Sequence, residues 1–163
     1  MVTTAVLQVA VPVMLLAWLW WGHVRGVALL VRAGAVLGVL AMLLLVTPWL
    51  DVPPFVGYAW LLLWPVAARC GWRHGRLVEA GSTWWSRLRT GTCVALGICA
   101  WGTAALAVDA RRVPESDVVD LACPLPPGVY RVVNGGSRLI VNAHLATLEP
   151  VERYRSWRGQ SYG

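Results

Sequence analysis

Apolar residues in this chain come in long blocks that are separated by short polar segments. Four blocks stand out, at residues 4–21, 27–46, 55–68 and 91–108. A helix needs about 20 residues to cross a hydrocarbon core of roughly 30 Å, and three of the blocks come close to that length. The pattern predicts a mainly α-helical membrane protein with about four transmembrane helices, followed by a short extracytoplasmic tail.

The block at 55–68 is the shortest of the four and contains Pro65 near its end. A re-entrant or interfacial helix is the alternative interpretation of such a segment. The distribution of arginines favours a full crossing, because without it the two basic segments would lie on opposite sides of the membrane.

Positively charged loops are retained in the cytoplasm during membrane insertion. The loop at 69–90 carries five arginines against one acid, and the turn at 22–26 carries Arg25, whereas the loop at 47–54 has Asp51 and no base. Four spans place both basic segments inside and both termini outside, whereas three would put the basic segments on opposite sides. The sequence thus predicts a multi-pass protein of the bacterial plasma membrane with both termini extracytoplasmic.

The composition agrees with a chain that lies mostly in lipid. Apolar residues make up 58% of the 163 positions and charged residues 13%, against roughly 45–50% and about 25% in soluble domains. The net charge of +6 is concentrated in the basic loop rather than on a folded domain, which argues against nucleic acid as a partner. The predicted partner is the lipid bilayer, including anionic headgroups.

Polar residues within the predicted spans are few. Gln8, His23 and Arg32 are the candidates, and His23 and Arg32 lie close enough to an end to reach the interface. No carboxylate lies in the middle of a span, so the sequence lacks the usual components of a transport pathway. Gly34 and Gly38 form a GxxxG pair that predicts close helix packing.

Eleven tryptophans are placed in two ways. Most lie at the ends of the apolar blocks, where an indole ring is buried and its N–H is hydrated. Trp60, Trp64 and Trp101 lie within the blocks instead, which favours packing between helices.

The four cysteines form no CxxC pair, so they predict neither a disulfide framework nor a zinc site. Cys93 and Cys99 lie within a predicted span, Cys70 lies at the inner boundary and Cys123 lies outside. We interpret them as small apolar residues plus one free thiol, with an intermolecular bridge through Cys123 as the alternative.

The composition changes after the transmembrane region, residues 1–108. Residues 109–127 are charged and then proline-rich, which predicts a stalk. Residues 128–163 form a partial extracytoplasmic β segment, in which strands at 129–133 and 137–141 flank an Asn-Gly turn and predict a β-hairpin. Since about 37 residues rarely fold alone, the tail either packs on the membrane part or a partner, or belongs to a domain that continues past Gly163.

Residues 124–136 (PLPPGVYRVVNGG) and 141–144 (VNAH) resemble the segment that leads into the catalytic domain of lysostaphin-type (LytM-like) zinc metallopeptidases of bacterial envelopes. The resemblance covers about 40 residues, and several family members are tethered by N-terminal spans. It implies that this chain is the membrane anchor and leading segment of an endopeptidase that acts on peptidoglycan.

The family binds zinc through an H-x-G-x-D motif and a later H-x-H, and the metal activates a water molecule. H-x-H does not occur in this sequence, and Ser161 stands where the first histidine is expected if Gly163 is the glycine of the first motif. The resemblance therefore implies descent from, or truncation of, a cell-wall peptidase that is inactive as this chain stands, and no catalytic or cofactor-binding residue is assigned. His144 is a candidate zinc ligand only with ligands from outside this chain. The alternative is a small multispan membrane protein whose tail binds an envelope partner, such as peptidoglycan or an envelope protein.

Overall fold

The computed structural model describes residues 6–22, 24–47, 52–53, 55–75, 83–112, 137–142 and 145. It divides the chain into two compact units, Met1–Leu106 and Ala107–Gly163. Within the described residues the secondary structure is helical. The helices are a π-helical turn Val6–Ala10, α1 Val11–Trp21, α2 Val27–Val46, α3 Phe55–His74 and α4 Trp84–Asp109.

Glycine sets the start of α2. Gly26 has a φ of 67°, a backbone conformation that residues with a Cβ rarely adopt, and its carbonyl accepts from the amides of Leu29 and Leu30 at 3.1 and 3.2 Å. These bonds begin the helical ladder directly after the turn from α1. The turn therefore folds the chain back so that α2 packs beside α1.

Contacts between the helices fix their directions. Gly71 of α3 lies against the Leu19 backbone of α1 and the Leu29 side chain of α2, whereas Trp64, two turns earlier in α3, lies beside Ala33 of α2. Consequently α2 and α3 run antiparallel. The buried core of the first unit comprises Leu16, Leu19, Leu29, Ala33, Val36, Leu40 and Ala67.

Small residues bring α4 close to α2. A Cβ on Gly97 would lie 3.4 Å from the Ala35 Cα, and a Cβ on Gly38 would lie 2.9 Å from the Trp101 ring. Gly38, in the predicted GxxxG pair, thus lies at a close helix contact. Because later residues of α2 meet later residues of α4, these two helices run parallel.

Three indole N–H groups join neighbouring helices by donating to backbone carbonyls. These carbonyls belong to residues in the π-helical turn and in α2, so each bond connects elements that are distant in sequence. The tryptophans are the three that the sequence places within apolar blocks, and they are part-buried or exposed to different extents. The bonds run from Trp60 to Gln8 at 2.9 Å, from Trp64 to Ala33 at 2.9 Å and from Trp101 to Gly34 at 3.2 Å.

Two of the described helices, α2 and α4, are long and apolar enough to cross a membrane. The prediction of about four transmembrane helices is therefore wrong. The π-helical turn and α1 together provide only 16 residues, about 24 Å of helix. Helix α3 has 20 residues, but its apolar part, 55–68, covers only about 21 Å before Arg69 and Arg73.

The predicted β-hairpin is also wrong where the structure describes it. Residues 137–141 form a bend and a turn rather than a strand, and no strand occurs in the described part of the chain. The Arg138 carbonyl accepts from the amides of Val141 and Asn142 at 3.1 and 3.0 Å, so these amides bond within the turn. Residues 129–136, the other half of the predicted hairpin, lie outside the described residues.

In the second unit, the turn at 137–142 contacts the end of α4. The Ser137 amide donates to the Ala110 carbonyl at 2.9 Å, which satisfies one of the acceptors that a helix end leaves without an internal partner. Arg138 forms an ion pair with Asp109 at 2.7 Å. These contacts dock the turn onto the helix end.

Candidate functional site

The end of α1, the start of α2 and the start of α4 enclose a cavity of about 280 Å³. All of its described lining residues belong to the first unit. They combine two arginines and two hydroxyl side chains with an apolar wall, and we call this site the arginine cavity. Its lining residues are Trp18, Gly22, Val24, Ala28, Arg32, Ser86, Arg89, Thr90 and Cys93.

One face of α4 provides the polar side of the cavity. Ser86, Arg89, Thr90 and Cys93 follow the i, i+3, i+4, i+7 spacing that places side chains on a single helical stripe. The Thr83 hydroxyl accepts from the Ser86 amide at 3.2 Å and caps the start of the helix. The cap fixes the first turn of α4, and with it the side chains that face the cavity.

Helix α1 determines where the Arg32 guanidinium lies. Its Nη1 donates to the Gly22 carbonyl at 3.2 Å, and its Cζ lies 4.1 Å from the centroid of the Trp18 ring. A guanidinium over an indole face is attracted by the ring quadrupole. Gly22 is necessary for this placement, because a Cβ there would collide with the guanidinium.

Arg89 approaches the cavity from α4. Its Nε donates to the Trp85 carbonyl at 3.3 Å, so the side chain folds back along its own helix. Arg32 and Arg89 line the same space, and none of the lining residues in the described part of the chain is acidic. Two like charges that share a cavity repel each other, which makes the site favourable for an anion.

A further arginine joins the two basic segments of the sequence. Arg25 donates from Nε to the Trp72 carbonyl and from Nη2 to the Arg73 carbonyl at 3.0 Å. Carbonyls in the last turn of a helix lack intrahelical donors and carry a partial negative charge, so a guanidinium is a favourable cap. Gly75 permits this contact, because a Cβ there would collide with the Val24 carbonyl.

The contacts of Arg25 and the arginine cavity bring four arginines to one end of the first unit, which we call the arginine end: Arg25, Arg32, Arg73 and Arg89. Among the described residues up to Leu106 there is no aspartate or glutamate. The charge asymmetry that the sequence shows between loops is therefore also an asymmetry between the two ends of this unit.

The candidate residues from the sequence have different outcomes. His144 and His23 lie outside the described residues, so the candidate zinc ligand remains a prediction. Within the residues that the structure describes, no three His, Cys, Asp or Glu side chains are grouped so that they could hold a metal. Gln8 is fully buried in the π-helical turn, and Arg32 lies in the arginine cavity. The sequence interpretation missed this cavity.

Comparisons with protein-family models, with characterised proteins and with solved structures give no match. The resemblance to lysostaphin-type peptidases therefore stays a prediction. The geometry of the first unit provides the physical basis for assigning a function.

Proposed function

We propose that this chain is a membrane anchor in which α2 and α4 cross the bilayer. The observation that carries the proposal is the length and apolar character of these two helices. With 20 and 26 residues, they extend about 30 and 39 Å, which is sufficient for the hydrocarbon core.

Large apolar side chains on the outer surface support the anchor. Val27 and Leu30 of α2 are 65% and 64% exposed, and Leu96 and Ile98 of α4 are 57% and 69% exposed. Exposed apolar surface on this scale is unfavourable in water and suits contact with acyl chains. These side chains would therefore face lipid.

The contacts between α2 and α4 are also of the kind that stabilises helices in lipid. The hydrophobic effect adds little to helix association within a bilayer, so close packing of small residues and hydrogen bonds between helices provide the stability. Gly97 against Ala35 supplies the first, and the Trp101 bond to the Gly34 carbonyl supplies the second.

For orientation, we propose that the arginine end faces the cytoplasm of a bacterial cell, as the retention of positive charge would require. Exposed tryptophans near this end, Trp21 at 66% and Trp84 at 71%, fit the headgroup region. Helix α3, which runs antiparallel to α2, returns the chain to the arginine end. Since α4 begins there, the chain that follows α4 is extracytoplasmic.

We further propose that the extracytoplasmic segment is the leading part of an envelope zinc endopeptidase that acts on peptidoglycan. The support is the resemblance at residues 124–144 together with the proposed location. The residues of this sequence do not fit the family's zinc site, because H-x-H does not occur among them. No catalytic step is therefore assigned to this chain.

Membrane fractionation tests the anchor. We expect the chain to remain in the membrane pellet after alkaline carbonate and high salt, and to be released only by detergent; release by carbonate would overturn the proposal.

Single-cysteine variants test the orientation. An impermeant maleimide should label Cys123 but not Cys70 in intact cells, and labelling of Cys70 alone would invert the topology.

Cosedimentation with purified peptidoglycan tests the envelope function independently of the anchor. We expect the full chain in detergent to sediment with sacculi and to be displaced by soluble muropeptides. Equal sedimentation with and without sacculi would contradict an association with peptidoglycan, while leaving the anchor untouched.

A further inference from the structure

The arginine cavity has features of a binding site that anchoring alone does not require. Anchoring needs apolar helices of sufficient length and a charge asymmetry between their ends. Arginines that extend into water would already supply that asymmetry. Instead, Arg32 is half-buried and held by Gly22 and Trp18 at fixed positions. A second guanidinium, from Arg89, lines the same space.

The donors around the cavity define the chemistry of its ligand. A guanidinium has five N–H groups in a planar fork that matches the oxygens of a phosphate or carboxylate. The bond to Gly22 uses one such group of Arg32, and the bond to Trp85 uses one of Arg89. The hydroxyl groups of Ser86 and Thr90, which are carried on shorter side chains, add further donors on the α4 side.

Phosphate fits this set better than a carboxylate does. The polar groups come from two helices, with Arg32 on α2 and Arg89, Ser86 and Thr90 on α4. A tetrahedral phosphate directs its oxygens toward several walls at once, whereas a planar carboxylate is satisfied by a single fork. The volume of about 280 Å³ exceeds that of a bare phosphate, and the Trp18 and Val24 side provides an apolar wall for a carbon substituent.

We propose that the arginine cavity binds a phosphate group, carried either by an anionic phospholipid headgroup or by a soluble phosphate compound. The Arg32 and Arg89 guanidiniums neutralise the phosphate, and the Ser86 and Thr90 hydroxyls donate to its remaining oxygens. The anion relieves the repulsion between the two guanidiniums. Binding thus joins the starts of α2 and α4.

The test measures binding to the full chain purified in a neutral detergent. Phosphatidylglycerol is titrated against phosphatidylcholine, whose headgroup carries no net charge, and inorganic phosphate and glycerol phosphate are added as soluble competitors. We expect phosphatidylglycerol to bind with an affinity at least about tenfold above that of phosphatidylcholine. Displacement by the soluble phosphates identifies a site for free phosphate compounds; retention of the lipid in their presence identifies a headgroup site.

Four substitutions separate a defined site from general charge attraction. Arg32→Gln and Arg89→Gln should each weaken binding about tenfold, since each removes charge-assisted bonds to the anion. Arg73→Gln is the matched control, because Arg73 is an exposed arginine at the same end that does not line the cavity; its effect should stay within about twofold. Gly22→Ala keeps every charge but displaces the Arg32 guanidinium, and it should also weaken binding.

Circular dichroism and thermal unfolding of each variant show whether it is folded. For a variant that does not fold, Arg32→Lys or Arg89→Lys replaces it, since lysine keeps the charge and loses the fork. Equal losses in Arg73→Gln and Arg32→Gln would overturn the proposal, as would equal affinity for both lipids. The measurement is made in detergent, so failure of binding is distinguishable from failure of the anchor in membrane fractionation.

Discussion

Gly34 and Gly38 lie one turn apart in α2 and provide a matched pair of substitutions. A Cβ added at Gly38 would lie 2.9 Å from both Cδ1 and Nε1 of Trp101, whereas a Cβ at Gly34 would meet no atom of the described residues within 4 Å. Glycine to alanine is the same chemical change at both positions. The difference between the two variants therefore isolates the contact with the Trp101 ring.

The expected size of the effect follows from these distances. Ordinary contacts between carbon atoms are about 3.5–4.0 Å, so the ring must move by roughly 0.5–1 Å. That movement also disturbs the bond from Trp101 Nε1 to the Gly34 carbonyl, now 3.2 Å long. Overpacking costs about 1–3 kcal/mol, and alanine gains about 0.5–1 kcal/mol over glycine in a helix. We expect Gly38→Ala to lose about 1–2 kcal/mol and Gly34→Ala to gain up to about 1 kcal/mol.

The measurement is the free energy of unfolding in mixed micelles, with SDS as the denaturant and far-ultraviolet circular dichroism as the signal. Linear extrapolation to zero denaturant gives the two values, which should differ by about 2 kcal/mol. In a Trp101→Phe background, the five-membered ring atoms that meet the new Cβ are gone. The cost of Gly38→Ala should then fall by about 1 kcal/mol, which a double-mutant cycle reports as coupling.

Two results would refute this account of the packing. Equal stability of Gly34→Ala and Gly38→Ala would mean that Trp101 does not lie against Gly38. Additive effects of Gly38→Ala and Trp101→Phe would mean that the loss at Gly38 has another cause.

Two further predictions concern other contacts in the two units. Gly71→Ala should lose about 3 kcal/mol of unfolding free energy, because its Cβ would meet the Leu19 backbone carbonyl, which cannot rotate away. Gly102→Ala is the control, because no described residue lies within 4 Å of a Cβ at that position. Equal stability of the two variants would contradict the close approach of α1 and α3. Asp109→Asn should cost less than about 1 kcal/mol of unfolding free energy, and nothing in 1 M salt, because the side chains of Asp109 and Arg138 are 48% and 52% exposed in their ion pair. Thermal unfolding at two salt concentrations measures this cost. A salt-independent loss above about 2 kcal/mol would contradict the prediction.

Apolar runs in the sequence predict where the helices lie better than they predict how many of the helices span the membrane. The block at 27–46 coincides with α2, because the turn glycine, Gly26, directly precedes the helix and the helix ends where the apolar run ends. At 55–68, the sequence interpretation ended the helix where the apolar run ends. Backbone hydrogen bonding continues to His74, since arginine is a good helix former. The helix is thus longer than its apolar part, and only the apolar part counts toward a crossing.

The hairpin shows why a local turn signal is insufficient. An Asn-Gly pair with β-branched neighbours favours a hairpin, but a hairpin forms only if the facing amides and carbonyls of its two strands pair with each other. Ser137 instead bonds to the Ala110 carbonyl, 27 residues earlier, where a helix end offers an acceptor. Tertiary contacts of this kind are invisible to a pattern that is read over ten residues.

The arginine cavity was missed for a similar reason, although part of its signal is present in the sequence. The i, i+3, i+4, i+7 spacing of Ser86, Arg89, Thr90 and Cys93 predicts a polar helical stripe at the start of an apolar helix. Nothing in the sequence indicates that Arg32, more than 50 positions earlier, lies opposite that stripe. Their meeting depends on the parallel direction of α2 and α4, which follows from the packing at Ala35 and Gly38.

The conformation of Arg32 distinguishes a snorkelling side chain from a placed one. Snorkelling predicts a guanidinium that leaves the helix for the nearest hydrated surface and keeps its rotamer freedom. Arg32 gives up that freedom, which costs up to about 2 kcal/mol for a long side chain, and its contacts are a specific carbonyl and a specific ring face. Because the cation–π contact and one hydrogen bond are together worth a similar amount, the arrangement is close to balanced without a ligand. An anion that bridges Arg32 and Arg89 would add to a guanidinium already oriented by Gly22 and Trp18, and so would bind without the entropic cost of ordering that side chain.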